Sequence, residues 1–292
     1  MKILDITQWG SINLKNSGSY FYGCENLEIT ATDSPDLYDT TNFKQFFYGN
    51  TRFNNHIDHW DTSRVTTLES TFELCSVFNQ PLNAWDVSSV TKLKTVFGQA
   101  KAFNQDLDQW DISKVTDVRW GFIIARDFNG NISTWDTSKL TELTGMFDGC
   151  YELNPDLNSW DTARVTDFGN VFKYTASMQS PLDMWDTSRA QTMSYMFYTS
   201  VYNQDISSWD VSRVSSFDQM FSYEEGHYMD YGGFNQDLSS WNVAGVSDCN
   251  YFGNPGCNPV TFNQMGCTDS CCPLLINNSN YASEYLTGRS LG

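Results

Sequence analysis

Tryptophan recurs in this chain at a fixed period, and the period restricts what the rest of the sequence can fold into. Trp60, Trp85, Trp110, Trp135, Trp160 and Trp185 are spaced by 25 residues, and Trp209 and Trp241 follow at 24 and 32. Asp follows each of them, with Asn242 at the last, and a β-branched residue such as Thr62, Val87 or Ile112 comes next. An aromatic column beside a β-branched one predicts a strand. Three residues before each Trp lies Ile or Leu (Ile57, Leu82, Leu107), and five after it an apolar residue (Val65, Val90, Leu140). Farther on, Leu68, Phe72 and Cys75 recur as Leu93, Phe97 and Ala100, a spacing of i, i+4, i+7 that predicts one face of a short helix. Thr66 stands where an N-cap belongs, and Glu69 completes a capping box.

A unit this short cannot bury its apolar face alone, whereas stacked copies share one continuous core. The expected fold is therefore an α/β repeat solenoid of leucine-rich-repeat-like coils, each a short strand plus a short helix, stacked in a parallel sheet. Length alone, at 292 residues, would have suggested two domains. The repeat divides the chain differently. Residues 1–52 hold degenerate N-terminal coils and a cap, in which Trp9 aligns with Phe21 and Cys24, and Pro35 takes the Trp position before Phe47. Residues 53–253 are the regular repeats, and residues 254–292 form a Cys-rich C-terminal cap. Ten coils at the strand spacing of about 4.8 Å would make a rod on the order of 50 Å long.

Written out, the template reads Phe-Asn-Gln-Asp-Leu-x-x-Trp-Asp-Val-Ser-x-Val-Thr, visible as Phe103-Asn104-Gln105-Asp106-Leu107 before Trp110 and as Phe234-Asn235-Gln236-Asp237-Leu238 before Trp241. It resembles the BspA-like surface-protein repeats, leucine-rich-repeat relatives found in mycoplasma lipoproteins, bacterial surface proteins, and some protists, algae and large viruses. The resemblance implies a solenoid displayed on a surface for adhesion or assembly. It supplies no catalytic residue to carry over.

Charge narrows the choice of partners. With 17 Lys plus Arg against 35 Asp plus Glu the formal charge is -18, so the cationic footprint that holds a phosphate backbone is missing. Neither nucleic acid nor an anionic membrane surface is an expected partner. The longest apolar run, near Gly121 to Ala125, is far short of the roughly 20 residues that cross a bilayer. The opening Met1-Lys2-Ile3-Leu4-Asp5 lacks the apolar core of a secretion signal, which is expected to be absent or already removed. Three His, no Gly-rich phosphate loop and no nucleophile elbow argue against an enzyme, a cofactor or a catalytic metal. The expected function is non-enzymatic: an extracellular or surface protein mediating adhesion to a protein or glycan. The alternative is a self-assembling building block of a surface layer, appendage, filament or viral particle.

Several columns bear on that function. The Asp column (Asp61, Asp86, Asp111 and onward) would stack like charges, which is destabilising. Asx-turns with the Ser two residues on, and a basic column at Arg64, Lys114 and Lys139, are expected to relieve it. The Asn column (Asn54, Asn79, Asn104) is expected to be a buried amide ladder rather than a sugar-binding row, and the Trp column core rather than a glycan platform. One repeat carries an insertion whose Tyr223, Glu224, Glu225, Tyr228, Asp230 and Tyr231 form a candidate partner loop. Cys24, Cys75 and Cys150 share a core column at least two coils apart, too distant for a disulfide. Cys249, Cys257, Cys267, Cys271 and Cys272 crowd the C-terminal end and are candidates for a disulfide-stapled cap in an oxidising compartment. Asn131 and Asn277 open glycosylation sequons, usable where a eukaryotic host secretes the protein.

Overall fold

A computed structural model describes residues 5–223, 234–249 and 252. The Trp-Asp segment turns back on itself. Asp61 Oδ1 accepts the Ser63 N–H at 3.1 Å and its hydroxyl at 2.7 Å, and the same Asx-turn recurs at Asp86, Asp111, Asp136, Asp186 and Asp210. The turn reverses the chain directly after the β-branched residue, which points inward: Thr62, Val87 and Ile112 are all buried. This leaves no extended run, and the strand expected at the Trp column is absent. Among the described residues strand pairing is confined to β1 (Asp5–Ile6) and β2 (Glu28–Ile29), which are parallel, and to isolated parallel bridges between most successive repeats. Those bridges join Asn42 to Thr67, Thr67 to Lys92 and Lys92 to Asp117, then Glu142 to Asp167 and on to Asp248. Equivalent positions of successive repeats thus lie side by side.

The expected helix is also absent, since the described residues contain none. Tandem turns stand in its place. Thr71 N–H donates to Leu68 O and Cys75 N–H to Phe72 O, closing two four-residue turns whose third residues, Ser70 and Leu74, have φ of 55° and 64°. A turn every four residues places Leu68, Phe72 and Cys75 on one side just as a helix would, so the apolar spacing cannot distinguish the two. Left-handed residues recur ten and fourteen positions after Trp60, Trp85, Trp110, Trp135, Trp160 and Trp185, among them Thr95 and Gln99, Trp120 and Ile124, and Gly145 and Gly149. Such a conformation costs an L-residue roughly 1–2 kcal/mol, most for a β-branched one like Ile124. The compensation is a hydrogen bond to the following repeat: Ser70 N–H reaches Lys94 O, Leu74 reaches Gly98 O, Trp120 reaches Thr144 O and Gly145 reaches Gly169 O, at 2.7 to 3.0 Å. Gly145 is needed for space as well as φ, because a Cβ there would overlap the Trp120 ring.

Thr66 is not an N-cap. Its N–H and hydroxyl both donate to Thr41 O, and Thr91 bonds to Thr66 O in the same way. Glu69, expected in a capping box, instead takes Lys44 in an ion pair at 2.8 Å.

Three ring columns run through the core. Phe72 stacks on Phe97 at 5.5 Å, Phe53 on Phe78 at 5.6 Å, and Trp110 on Trp135 at 6.4 Å, with interplanar angles of 5° or less. Offset stacking of this kind contributes about 0.5–1.5 kcal/mol per pair beyond area burial. Each indole also needs an acceptor. Trp85 Nε1 donates to Ile57 O, Trp110 to Leu82 O, Trp135 to Leu107 O and Trp209 to Leu182 O, all at 2.9 Å and all into the preceding repeat. Trp9 and Trp60 are buried with no partner for Nε1. Cys75 and Cys150 are free thiols that donate to Phe47 O and Phe122 O at 3.0 Å, and burial pushes Cys75 up to about 12.

The indole series makes a differential prediction. Trp135→Phe removes a stacked ring's hydrogen bond, whereas Trp60→Phe removes an unpaired buried donor. Urea denaturation should show Trp135→Phe costing about 1 kcal/mol more than Trp60→Phe. Equal losses would mean that the indole N–H bonds contribute nothing.

Candidate functional site

Most outward positions of a repeat are already committed to its neighbours. The Asn side chains accept backbone N–H groups one repeat on, with Asn54 Oδ1 receiving Asn79, Asn79 receiving Asn104 and Asn104 receiving Asn129 at 2.8 to 2.9 Å. This amide ladder is exposed at Asn54, Asn104, Asn129 and Asn154 rather than buried. Its side-chain oxygens face the edge of the stack because the N–H groups that they satisfy lie there. The Asp61, Asp111 and Asp210 carboxylates are held below their ordinary range chiefly by the Ser hydroxyl and N–H two residues on, and only secondarily by Arg64, Lys114 or Arg213. Asx-turns therefore do the work that the basic column was expected to share.

The tandem turns are different. Their inward residues are constant in kind, Phe standing at Phe72, Phe97, Phe122, Phe147, Phe172 and Phe197, while the outward positions between them change with every repeat. Ten residues after the Trp come Ser70, Thr95, Trp120, Gly145, Asn170 and Tyr195; thirteen after come Glu73, Gly98, Ile123, Asp148, Lys173 and Tyr198. The turns bring these positions into register on one face, and the contacts between repeats are made chiefly by the backbone, with side-chain links only where the residues allow, such as Ser70 Oγ to Thr95 Oγ1 at 2.7 Å. Trp120, Ile123 and Ile124 lie on the face half-buried, as do Lys173, Tyr174, Tyr195 and Tyr198.

The second group forms a cluster. Lys173 Nζ lies 5.2 Å from the Tyr174 ring centre, 5.3 Å from Tyr195 and 5.6 Å from Tyr198. Tyr195 and Tyr198 meet at 5.5 Å, and Gln219 Nε2 donates to Tyr195 Oη. Carboxylates flank the rings on both sides. Burial pushes Asp148 up to about 6, against the pull of Lys173. Burial also raises Asp218, opposed by its hydrogen bond with Tyr195 and reinforced by Asp248. Nearer the N-terminus the face is balanced: Arg119 grips Asp117 at 2.9 Å and reaches Glu142 at 3.3 Å. Burial works against the Asp117 carboxylate, but the guanidinium overrides it and keeps it ionised.

The residues singled out from the sequence fall elsewhere. Tyr223 is 51% exposed at the start of the insertion, and Glu224, Glu225, Tyr228, Asp230 and Tyr231 lie outside the described residues. Cys249 is fully buried, while Cys257, Cys267, Cys271 and Cys272 lie outside. Asn131 is exposed, with Oδ1 accepting the Ser133 hydroxyl at 2.8 Å, and Asn277 lies outside. His56 and His59 sit on the surface, each 3.7 Å from Asp58. The turn face was missed because the helix reading made its variable positions an ordinary solvent side; the signal was their variation beside an invariant Phe column. Among the described residues no helix is long and apolar enough to cross a membrane.

The family model described as "Mycoplasma protein of unknown function, DUF285" matches residues 13–133, 105–200 and 185–255, and the chain belongs to that family. No curated protein and no solved structure matches it.

Asp148 gives the face a pH signature. Its folded-state carboxyl, at about 6, lies above its ordinary value, so its ionisation costs stability as pH rises through that value, and the cost disappears on acidification toward 4. Asp148→Asn removes the cost. The stability of the variant relative to wild type should rise between pH 5 and 7 by on the order of 1 kcal/mol, allowing for partial exposure. A flat difference in denaturation midpoint across that range would contradict the burial of this carboxyl.

Proposed function

We propose that the chain is a non-enzymatic, extracellular or cell-surface repeat protein, a leucine-rich-repeat-like solenoid of the BspA-like kind, which binds a protein partner through its variable turn face. One observation carries the reading: side chains change from repeat to repeat on that face, while the Trp, Phe, Asp and Asn columns stay fixed around it. A lattice contact between identical repeats would favour the same residue at each step, whereas recognition of a partner requires different residues at defined spacing. Aromatic side chains such as Trp120 and Tyr195 are the types that dominate binding energy at protein interfaces. The Cys-rich end, with Cys249 buried at its beginning, fits a disulfide-stapled cap in an oxidising compartment. Parallel bridges between successive repeats support the solenoid, with turns in place of the helices.

Binding of the full chain to an immobilised panel of extracellular-matrix and cell-surface proteins tests this. At least one panel protein should bind, and Trp120→Ala with Tyr195→Ala should weaken it by about tenfold or more, a loss of about 1.4 kcal/mol. Met184→Ala, which removes a 72% exposed side chain from the column before the Trp, should leave binding within about twofold. Equal losses from both sets, or none from the face variants, would place the binding surface elsewhere.

A further inference from the structure

We propose that the partner taken by this face is a basic protein segment, with its arginine or lysine side chains seated on the Tyr174, Tyr195 and Tyr198 cluster and drawn there by the carboxylates around it. The inference rests on the turn face being the binding surface, and it adds the chemistry of what binds.

The charge of the face is uneven along the stack. Up to Glu142 cations and acids alternate, and Arg119 joins Asp117 to Glu142. Beyond that point the outward turn positions carry Asp148, Asp167, Asp218 and Asp248, and one cation, Lys173. The ammonium of Lys173 is not within ion-pair distance of any carboxylate among the described residues; rings on three sides surround it instead. The molecule thus already shows what the cluster holds, a cation over tyrosine faces. The preference recurs where Arg64 lies 4.0 Å over Tyr38 and Arg126 lies 5.4 Å over Tyr151. A ring quadrupole attracts any cation placed over it, most strongly when water is partly excluded, and a planar guanidinium stacks better than an ammonium. Lys173 occupies the cluster by a flexible stem and can leave it when a partner's side chain arrives. The net charge of -18 adds long-range attraction for a basic chain.

An acidic partner would use Lys173 the other way, as the docking charge, and the two cases predict opposite effects of removing it. The probes are oligo-arginine, oligo-lysine and oligo-glutamate peptides of equal length, titrated against the full chain at about 0.15 M salt, where attraction between distant surface charges is screened. Oligo-arginine should bind most tightly. Lys173→Met should tighten it by about threefold or more, and Lys173→Gln should do the same, since each removes a like charge that competes for the same rings. Asp167→Asn with Asp218→Asn should weaken it by about tenfold, while Asp86→Asn with Asp161→Asn, an equal change in charge on the Asx-turn column, should alter it by less than about twofold. Weaker binding on loss of Lys173, or tighter binding of oligo-glutamate than of oligo-arginine, would overturn the proposal. So would equal losses from the two Asp pairs, which would reduce it to net-charge attraction. If panel binding still falls in the Trp120 and Tyr195 variants, the face remains the binding surface and only its basic partner is refused.

Discussion

The hydrogen bond from each left-handed residue to the repeat beyond it is the interaction on which the remaining structure depends. A residue with positive φ turns its N–H out of the plane of its own turn and aims it along the stack, as Ser70 does toward Lys94 O and Gly149 toward Lys173 O. Two such residues per repeat alternate with two of ordinary φ, Leu68 and Phe72, which donate to Lys92 O and Val96 O, and together they give a segment without regular secondary structure a row of backbone donors met by its neighbour. The arrangement has a cost at every non-glycine position, and an isolated repeat would bear it with no return. Neighbouring repeats supply that return, first as backbone hydrogen bonds and then as stacked Phe and Trp rings.

Polar side chains extend the same arrangement around the perimeter. Thr hydroxyls donate to the Thr carbonyl of the preceding repeat, buried Thr62 and Thr137 donate to the Asp carbonyl of the following one, and Asn oxygens receive backbone N–H groups along the exposed edge. Where such a bond forms, the residue type is set by the backbone group of another repeat that the side chain completes, and the Thr62 column loses the bond where Val87 and Ile112 stand. The outward turn positions carry no side-chain bond that recurs along the stack, only isolated links such as Ser70 to Thr95 and Gln219 to Tyr195. A division follows between columns that hold the stack together and columns open to change, and the proposed binding face is the second kind. Its strained conformations are consistent with this: Ile124 and Trp120 adopt left-handed φ where Gly145 and Gly149 do so more cheaply in the next repeat. Bulky residues at such positions are a poor choice for stability alone.

Residue columns were legible from the sequence to the extent that their chemistry was single-valued. A Trp between Ile57 and Val65 has to be core, and it is 3% exposed; an Asp two residues before Ser has to make an Asx-turn when the chain reverses, and Asp61 does. The Asn ladder was legible as a ladder but not as an exposed one, because an amide that satisfies backbone groups does so equally well at a surface. Local conformation was less legible. Leu68, Phe72 and Cys75 have helical spacing, and a ribbon of four-residue turns reproduces that spacing within the same eight residues. Glycine would have signalled the difference, yet only the Trp135 repeat has it at both left-handed positions, and Ser70, Leu74, Thr95 and Gln99 conceal the pattern. With the turns unseen, the face that they build was unseen too.

If stacking between neighbours holds the fold together, a whole repeat is a dispensable unit and a fraction of one is not. Deletion of residues 136–160, which joins Trp135 to Asp161, removes one complete period and leaves every column in register. Its effect can be read from the urea unfolding curve and circular dichroism beside a deletion of residues 136–147, which removes about half a period. The account predicts cooperative unfolding of the first with a smaller m value, in proportion to the surface lost, and collapse of native signal in the second. Equal disruption by the two deletions would contradict it.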